Sequence, residues 1–455
     1  MRSRGAKLAD QDHGALKAAA FKAIDHAKQD IVAVAKAAFA TPEVGFEEEA
    51  TSALIADRLE ALGLPVMRKI AVTGVKAVRR FAAASPTVAI IGELDAVRVP
   101  GHPGARPGTG AAHACGHHAQ LGMLYGAAIG LNIPELSGPL AGSVAYFATP
   151  AEEFIDVARR LARREAGEIQ FLSGKQEMIR LGAFDDIDMA MLVHTSSEEP
   201  AGRFIVGGTS NGHLVHNVRF IGRAAHAGGA PHDGINALQA ASLAIMAINT
   251  QRETFEEKDV TRVHGILTKG GTSVNSVPAE VTYEGRVRGR DIAAVDKVVA
   301  RVERCFKAGA LAIGCDLEIT TVPGYLPLRN EPGLDDVFVA NARAIAGHGS
   351  VISQPYDETR GGSTDMGDLS QLIPAIHPYV TAAKGVAHGD DYQIVDYDLA
   401  VIQPARVLAA TVIDLLGDGG RLAAEVRQRH RPAMTKAEYV RSQSERHRVV
   451  RYKGE

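Results

Sequence analysis

A chain of 455 residues exceeds what one hydrophobic core usually supports, so two domains are expected. With 46% hydrophobic and 23% charged residues the composition is that of a globular protein, and a net charge of −3 provides no global field for nucleic acid or an anionic membrane. Three cysteines are too few for a disulfide framework, the polar N-terminus lacks an apolar export core, and no apolar run reads as a membrane span. A cytoplasmic protein without nucleic-acid or membrane partners is therefore expected.

Helical spacing covers residues 15–38 and 46–62. Residues 87–92 (TVAIIG) form a buried-strand candidate that ends at Glu93-Leu94-Asp95. A second strand, 142–149, is halted by Pro150 and followed at once by Glu152 and Glu153. A third, 187–193, runs straight into His194, and a fourth, 375–383, precedes His388. Such continuous apolar runs suit parallel strands covered on both faces. Sheets of this kind collect ligands at the carboxyl ends of their strands.

The pattern changes near Asn211. Strand 213–222, a helix over 233–252 capped by Asp233, strands 260–268 and 279–288, helix 292–313 and strand 316–322 spell β-α-β-β-α-β, the ferredoxin-like order. The α/β character then resumes, with helices at 334–346 and 399–416. The expected fold is a mostly parallel α/β catalytic domain, residues 1–210 and 323–455, interrupted by a ferredoxin-like α+β lid of residues 211–322. The basic tail from Gly417 has only Tyr439 and Tyr452 for base stacking. It reads as a helical extension packed on its own protein or a neighbouring subunit. Cys305 and Cys315 read as small core residues.

Chemistry concentrates in His113-Ala114-Cys115-Gly116-His117-His118, one thiol and three imidazoles on a loop before an apolar helix. Soft sulfur and imidazole nitrogen so close together suit zinc or a related transition metal. Glu152, Glu153, His194 and His388, each past a strand end, supply the remaining donors.

Eight segments in order make the chain resemble the M20 family of metallopeptidases, in its amidohydrolase branch of aminobenzoyl-glutamate hydrolases, auxin-conjugate hydrolases and related dipeptidases. They are TPEVGFEEE at Thr41, GELDA at Gly92, HACGHH at His113, TPAEE at Thr149, GRAAHAGGAPHDGINAL at Gly222, GGTSVNSVPAE at Gly270, GGSTDMGDLSQLIPAIHPY at Gly361 and AHGDDY at Ala387. The resemblance implies two divalent metal ions, zinc first with manganese or cobalt as alternatives, held by Cys115, His117, Glu153, His194 and His388. Glu152 would be the general base and Asp95 a carboxylate orienting a ligand. A metal lowers the pKa of a bound water from ~15.7 to about 7, which makes a carboxylate a workable base. His226, in the inserted domain, would stabilise the oxyanion, in the family from a partner subunit. Asn275 and Arg288 would grip the substrate carboxylate, although Arg286 and Arg290 share a face with Arg288.

Two departures stand out. His118 occupies a position where the branch carries Asp or Asn, and is expected to alter hydrogen bonding behind the ligands or the preference for metal. Residues 154–174 replace a glycine-rich turn with a longer, charged, helical pattern. The expected activity is metal-dependent hydrolysis of an amide bond in a dipeptide or N-acyl amino acid, by a homodimer joined through the inserted domain. The competing readings are a cysteine-nucleophile amidase using Cys115 and a non-catalytic binding protein on the same scaffold.

Overall fold

The computed structural model describes residues 13–82, 86–198, 200–359 and 361–454; most of the N-terminal stretch read for an export signal lies outside the described residues. At its centre is a six-stranded sheet in the order Val66–Ile70, Gly74–Arg80, Ser143–Thr149, Thr87–Glu93, Met189–Met191, Ala375–Ile376. The last four strands run parallel, and the first two add an antiparallel edge. Every residue of the two central strands is buried, the reason they read as unbroken apolar runs. Their register pairs Glu93 with Thr149, so the two loops that carry acidic residues leave the sheet side by side.

Two expected strands are broken. Residues 375–383 divide into Ala375–Ile376, Tyr379–Thr381 and Ala383–Lys384, because Pro378 has no N–H for a ladder. Residues 187–193 shorten to Met189–Met191, and His194–Ser196 joins a separate four-stranded sheet with Tyr379–Thr381, Phe204–Thr209 and Val351–Thr359. The two chain segments cross together: Leu192 N–H donates to Ile376 O and His194 N–H to Pro378 O.

The His117–Leu131 helix is almost wholly buried, against the Thr87–Glu93 strand and the helices Lys28–Ala40 and Gln403–Leu416. The single helix expected over 15–38 is two, Gly14–His26 and Lys28–Ala40, with a bend at Ala27 that lets the first half reach both His117–Leu131 and Gln403–Leu416. Asp398–Leu416 is, by length and composition, apolar enough to cross a membrane, which corrects the expectation that no run is. Here it is a core helix, 78% of that window being buried in the fold.

The inserted domain has the expected order, with strands Gly212–Ile221, Arg262–Lys269, Glu280–Gly289 and Asp316–Pro323 all antiparallel. Burial alternates residue by residue along Glu280–Gly289, as period two requires when one face packs on helices. Asp291 accepts a hydrogen bond from Ala294 N–H and opens the Ile292–Ile313 helix. The other helix begins at Ala237 rather than at Asp233. Asn236, not Asp233, accepts from Leu238 N–H and Gln239 N–H, and Asp233 sits in a separate single turn.

The tail does not belong wholly to the catalytic domain. Helices Arg421–Arg429 and Lys436–Arg446 lead to a strand, Arg448–Tyr452, that pairs antiparallel with Asp316–Pro323 and makes the inserted sheet five-stranded. That edge offers unpaired backbone groups. It also presents acidic side chains: Glu318 and Asp316 meet Arg451 and Lys453, and Glu303 on the neighbouring Ile292–Ile313 helix meets Arg448.

Candidate metal centre

The Cys-His loop turns at Gly116, whose φ of +91° a side chain rarely adopts. A Cβ there would lie 2.1 Å from Thr195 Oγ1, so only glycine fits against that hydroxyl. The ring orientations follow from hydrogen bonds behind them. His117 Nδ1–H donates to Asp95 O at 2.8 Å and His194 Nδ1–H to Thr195 O at 2.8 Å, since a carbonyl can only accept. Both imidazoles thereby turn Nε2 inward. His194 Nε2 lies 3.5 Å from Cys115 Sγ. His117 Nε2 is 3.2 Å from Glu93 Oε2 but makes no aligned hydrogen bond. The Asp95 carboxylate accepts from Glu153 N–H at 2.8 Å, so one residue braces two ligand candidates, His117 through its backbone carbonyl and Glu153 through its side chain. His388, at a φ of +65°, sits 3.0 Å from Glu153 through Nε2 and Oε1.

Donor atoms thus converge in two groups, Cys115 with His117 and His194, and Cys115 with Glu153 and His388, each within 4.8 Å. The groups share the thiol. A third, Glu93 with His117 and Glu152, lies against the first. Burial and Glu153 push the Cys115 thiol up, but His194 and His117 outweigh them and bring it down to about 6. Burial, with Glu93, Glu153 and Asp365 nearby, holds the Glu152 carboxyl well above the usual range. Three buried glutamates around an acidified thiol and imidazoles with inward-facing nitrogens form a donor set that fits divalent cations.

Lys175 and Asp365 escaped the sequence reading, as did a role for Glu93. Lys175 is fully buried, its Nζ 2.5 Å from Glu93 Oε1 and 2.6 Å from Asp365 Oδ1. Glu93 was legible, two residues before Asp95 at a strand end and therefore on the same side. Lys175 carried no signal, because a lone lysine near a helix start reads as solvent-facing.

The remaining candidates are spread out. His118 bonds to none of the ligand candidates; it packs against Phe39 and His113, 3.5 Å from Tyr397 OH, and burial pushes its pKa down to about 3. His226 is exposed on the inserted domain, its Nδ1 accepting from Gly228 N–H and Gly229 N–H, which leaves Nε2 as a donor toward solvent. Asn275 is exposed on the adjoining loop, its carbonyl accepting from Ala227 N–H. Arg288 reaches the catalytic domain at Ser363 Oγ, 2.9 Å away. Arg286 also faces that domain, donating to Phe154 O, whereas Arg290 turns to Lys258 O.

Residues 209–313 match the M20 peptidase dimerisation domain. Over 431 residues the chain is 27% identical to the Xaa-Arg dipeptidase of Mus musculus, covering 88% of this chain and 89% of that one. It is 26% identical over 480 residues to a p-aminobenzoyl-glutamate hydrolase of Escherichia coli, covering 90% and 93%. A dinuclear metal-binding peptidase of the M20 family from Bacillus subtilis shares the fold with a TM-score of 0.62 at 19% identity, over 86% of this chain and 99% of that one. So does an aminobenzoyl-glutamate utilization protein from Klebsiella pneumoniae, with a TM-score of 0.62 at 18% identity over 87% and 97%.

Proposed function

We propose that the chain is a metal-dependent hydrolase of C–N amide bonds in the M20 family, and that it cleaves dipeptides or N-acyl amino acids at a two-metal centre with Glu152 as general base. One observation carries the reading. Two donor groups meet at the Cys115 thiol, and the Glu152 carboxylate lies outside both, grouped instead with Glu93 and His117 against the first. Cys115, His117 and His194 would hold one ion, and Cys115, Glu153 and His388 the other, zinc being the first expectation and manganese or cobalt the alternatives. When bound, the ions supply an acidified water and polarise the amide carbonyl.

The protein's own groups do the rest. Glu152 takes the proton from the attacking water and returns it to the departing amine. Arg288, seated on Ser363 beside the glutamates, together with Asn275 offers donors to a substrate carboxylate. His226 serves the oxyanion of a second copy, consistent with its exposure and its outward Nε2–H. The homodimer this requires would form through the inserted domain at the Arg262–Lys269 edge, since the tail strand occupies the opposite edge. Ile266 is 65% exposed on that open strand.

A thiol pulled down to about 6 also suits a nucleophile. Chelation separates the readings. Exhaustive removal of metal should abolish turnover of a panel of dipeptides with basic, acidic and apolar C-terminal residues and of N-acyl and aminobenzoyl amino acids. Zinc, manganese or cobalt should restore it. Activity that survives in metal-free protein would replace this mechanism with thiol catalysis.

A further inference from the structure

Arg160 is the largest fully buried side chain among the described residues, 2% exposed, and it comes from the segment that departs from the family pattern. No carboxylate among those residues pairs with it. Its guanidinium stands over Phe46, 5.3 Å from the ring centroid, and donates to Leu172 O at 2.7 Å and Glu153 O at 2.5 Å, with a longer contact to Ala151 O. Burying an arginine without a counter-ion is costly unless its donors are used; Nε has no partner among the described residues, one Nη1 bond goes to Leu172 O, and the others go to Ala151 O and Glu153 O on the loop that carries Glu152 and Glu153.

That loop needs holding. Ala151 has a φ of +51°, a conformation that persists only where the surroundings over-determine it. Its next carbonyls are each held from a different part of the molecule. Glu152 O accepts from Tyr325 OH, just past the inserted domain, Glu153 O from Arg160, and Phe154 O from Arg286 on the Glu280–Gly289 strand. Arg160 and Arg286 both lie 5.9 Å from the Phe154 ring. Gly45 is part of the same fit: a Cβ there would stand 2.3 Å from Arg160 Nη2.

We propose that Arg160 and Arg286 are positioning residues that clamp the Glu152–Phe154 backbone, Arg160 from within the catalytic domain and Arg286 from the inserted domain, so that the seat of the lid sets the geometry of the base and of one metal ligand. This rests on the reading of Glu152 and Glu153 above. Loosening the clamp weakens the ion that depends on Glu153 and spares the one held by Cys115, His117 and His194. The kcat falls because the base is displaced, while KM holds because no substrate contact is lost.

The test is a Co²⁺ titration of metal-free wild type, Arg160→Gln, Arg286→Gln and Glu152→Gln, read from the visible cobalt–thiolate bands. It is joined to kcat and KM on the panel substrate the wild type turns over best. In both arginine variants the second Co²⁺ equivalent should weaken by about 10–100-fold with the first nearly unchanged, and kcat should fall by a similar factor at constant KM. If Arg160→Gln does not fold, Arg286→Gln decides alone, because its side chain is only half-buried. Two wild-type Co²⁺ affinities with wild-type kcat would overturn the clamp. So would an Arg286→Gln that raises KM alone, which would make Arg286 a substrate contact. A Glu152→Gln that stays active would instead sink the assignment of the base, a result independent of the arginine titrations.

Discussion

Glu152 and Glu153 are adjacent, yet their surroundings drive them apart. His388 pulls the Glu153 carboxyl below the usual range against the penalty of burial, whereas burial and neighbouring carboxylates hold Glu152 well above it. A ligand must stay ionised and a base must hold and release a proton, so these opposite shifts support the division of labour proposed for the two residues. Glu152→Gln should therefore keep both ions, by metal analysis, and lose about 10²–10⁴-fold in kcat. Glu153→Gln should lose metal as well. Cys115→Ser should lower the content of both ions at once, since the two donor groups share that thiolate; loss of one ion with full retention of the other would show that the thiol is not shared.

At the level of elements, the His117–Leu131 helix connects ligand placement to packing. Gly122, Gly126 and Gly130 recur every four residues, along one face. A Cβ on Gly126 would stand 2.9 Å from Ala405 Cβ, and one on Gly122 2.8 Å from Val401 Cγ1. The Asp398–Leu416 segment can lie this close only because Gly122 and Gly126 are bare. Gly126→Ala should cost about 1–3 kcal/mol in denaturant unfolding through overpacking. Because His117 is the first residue of this helix, the same variant should weaken metal binding before it unfolds the protein.

Across the whole molecule, the tail joins the two domains. Tyr439 is fully buried with its hydroxyl 2.8 Å from Asp368 Oδ1, Gln443 donates to Asp368 and to Gly324 O, and the final strand then crosses to the inserted sheet. Burial pushes the Asp368 carboxyl up to about 8. The native state thus holds a proton that the unfolded chain releases near pH ~3.9. The stability this contributes is fully present below that pH and declines as pH rises to about 8. Asp368→Asn keeps the acceptor for Tyr439, Gln443 and Gln176 without ionising. Its thermal midpoint should gain on the wild type as pH rises from about 4 to about 8 and then hold a constant lead. A constant difference across that range would show that Asp368 does not titrate in this window. Assembly is testable at the same scale. His226→Ala and Glu152→Gln, each inactive, should restore part of the activity when mixed and allowed to exchange subunits, because one site of each mixed dimer keeps both residues. A fully active protein that sediments as a monomer would refute the shared site.

The basic tail shows where local pattern stops being informative. Ten Lys and Arg residues after Gly417 suggested a helical extension packed on its own protein or on a neighbouring subunit; it packs on its own protein, where Arg427, Lys436, Arg446 and Arg448 meet Asp188, Asp185, Asp296 and Glu303. Exposed pairs of this kind are worth little singly, so the strand pairing and buried Tyr439 set the path. What the sequence determined by itself was the alternation of buried strands and helices, the ferredoxin-like insertion and the candidate donors on each loop. These depend on short-range periodicity and on side-chain chemistry, both present in any window of the chain. Only the tertiary structure decided that one thiol belongs to two donor groups, that Lys175 and Arg160 are interior cations, that Pro378 redirects a strand into a second sheet, and which sheet edge the tail covers. Each of these depends on groups far apart in sequence meeting in a low-dielectric interior, where desolvation and pairing outweigh local propensity.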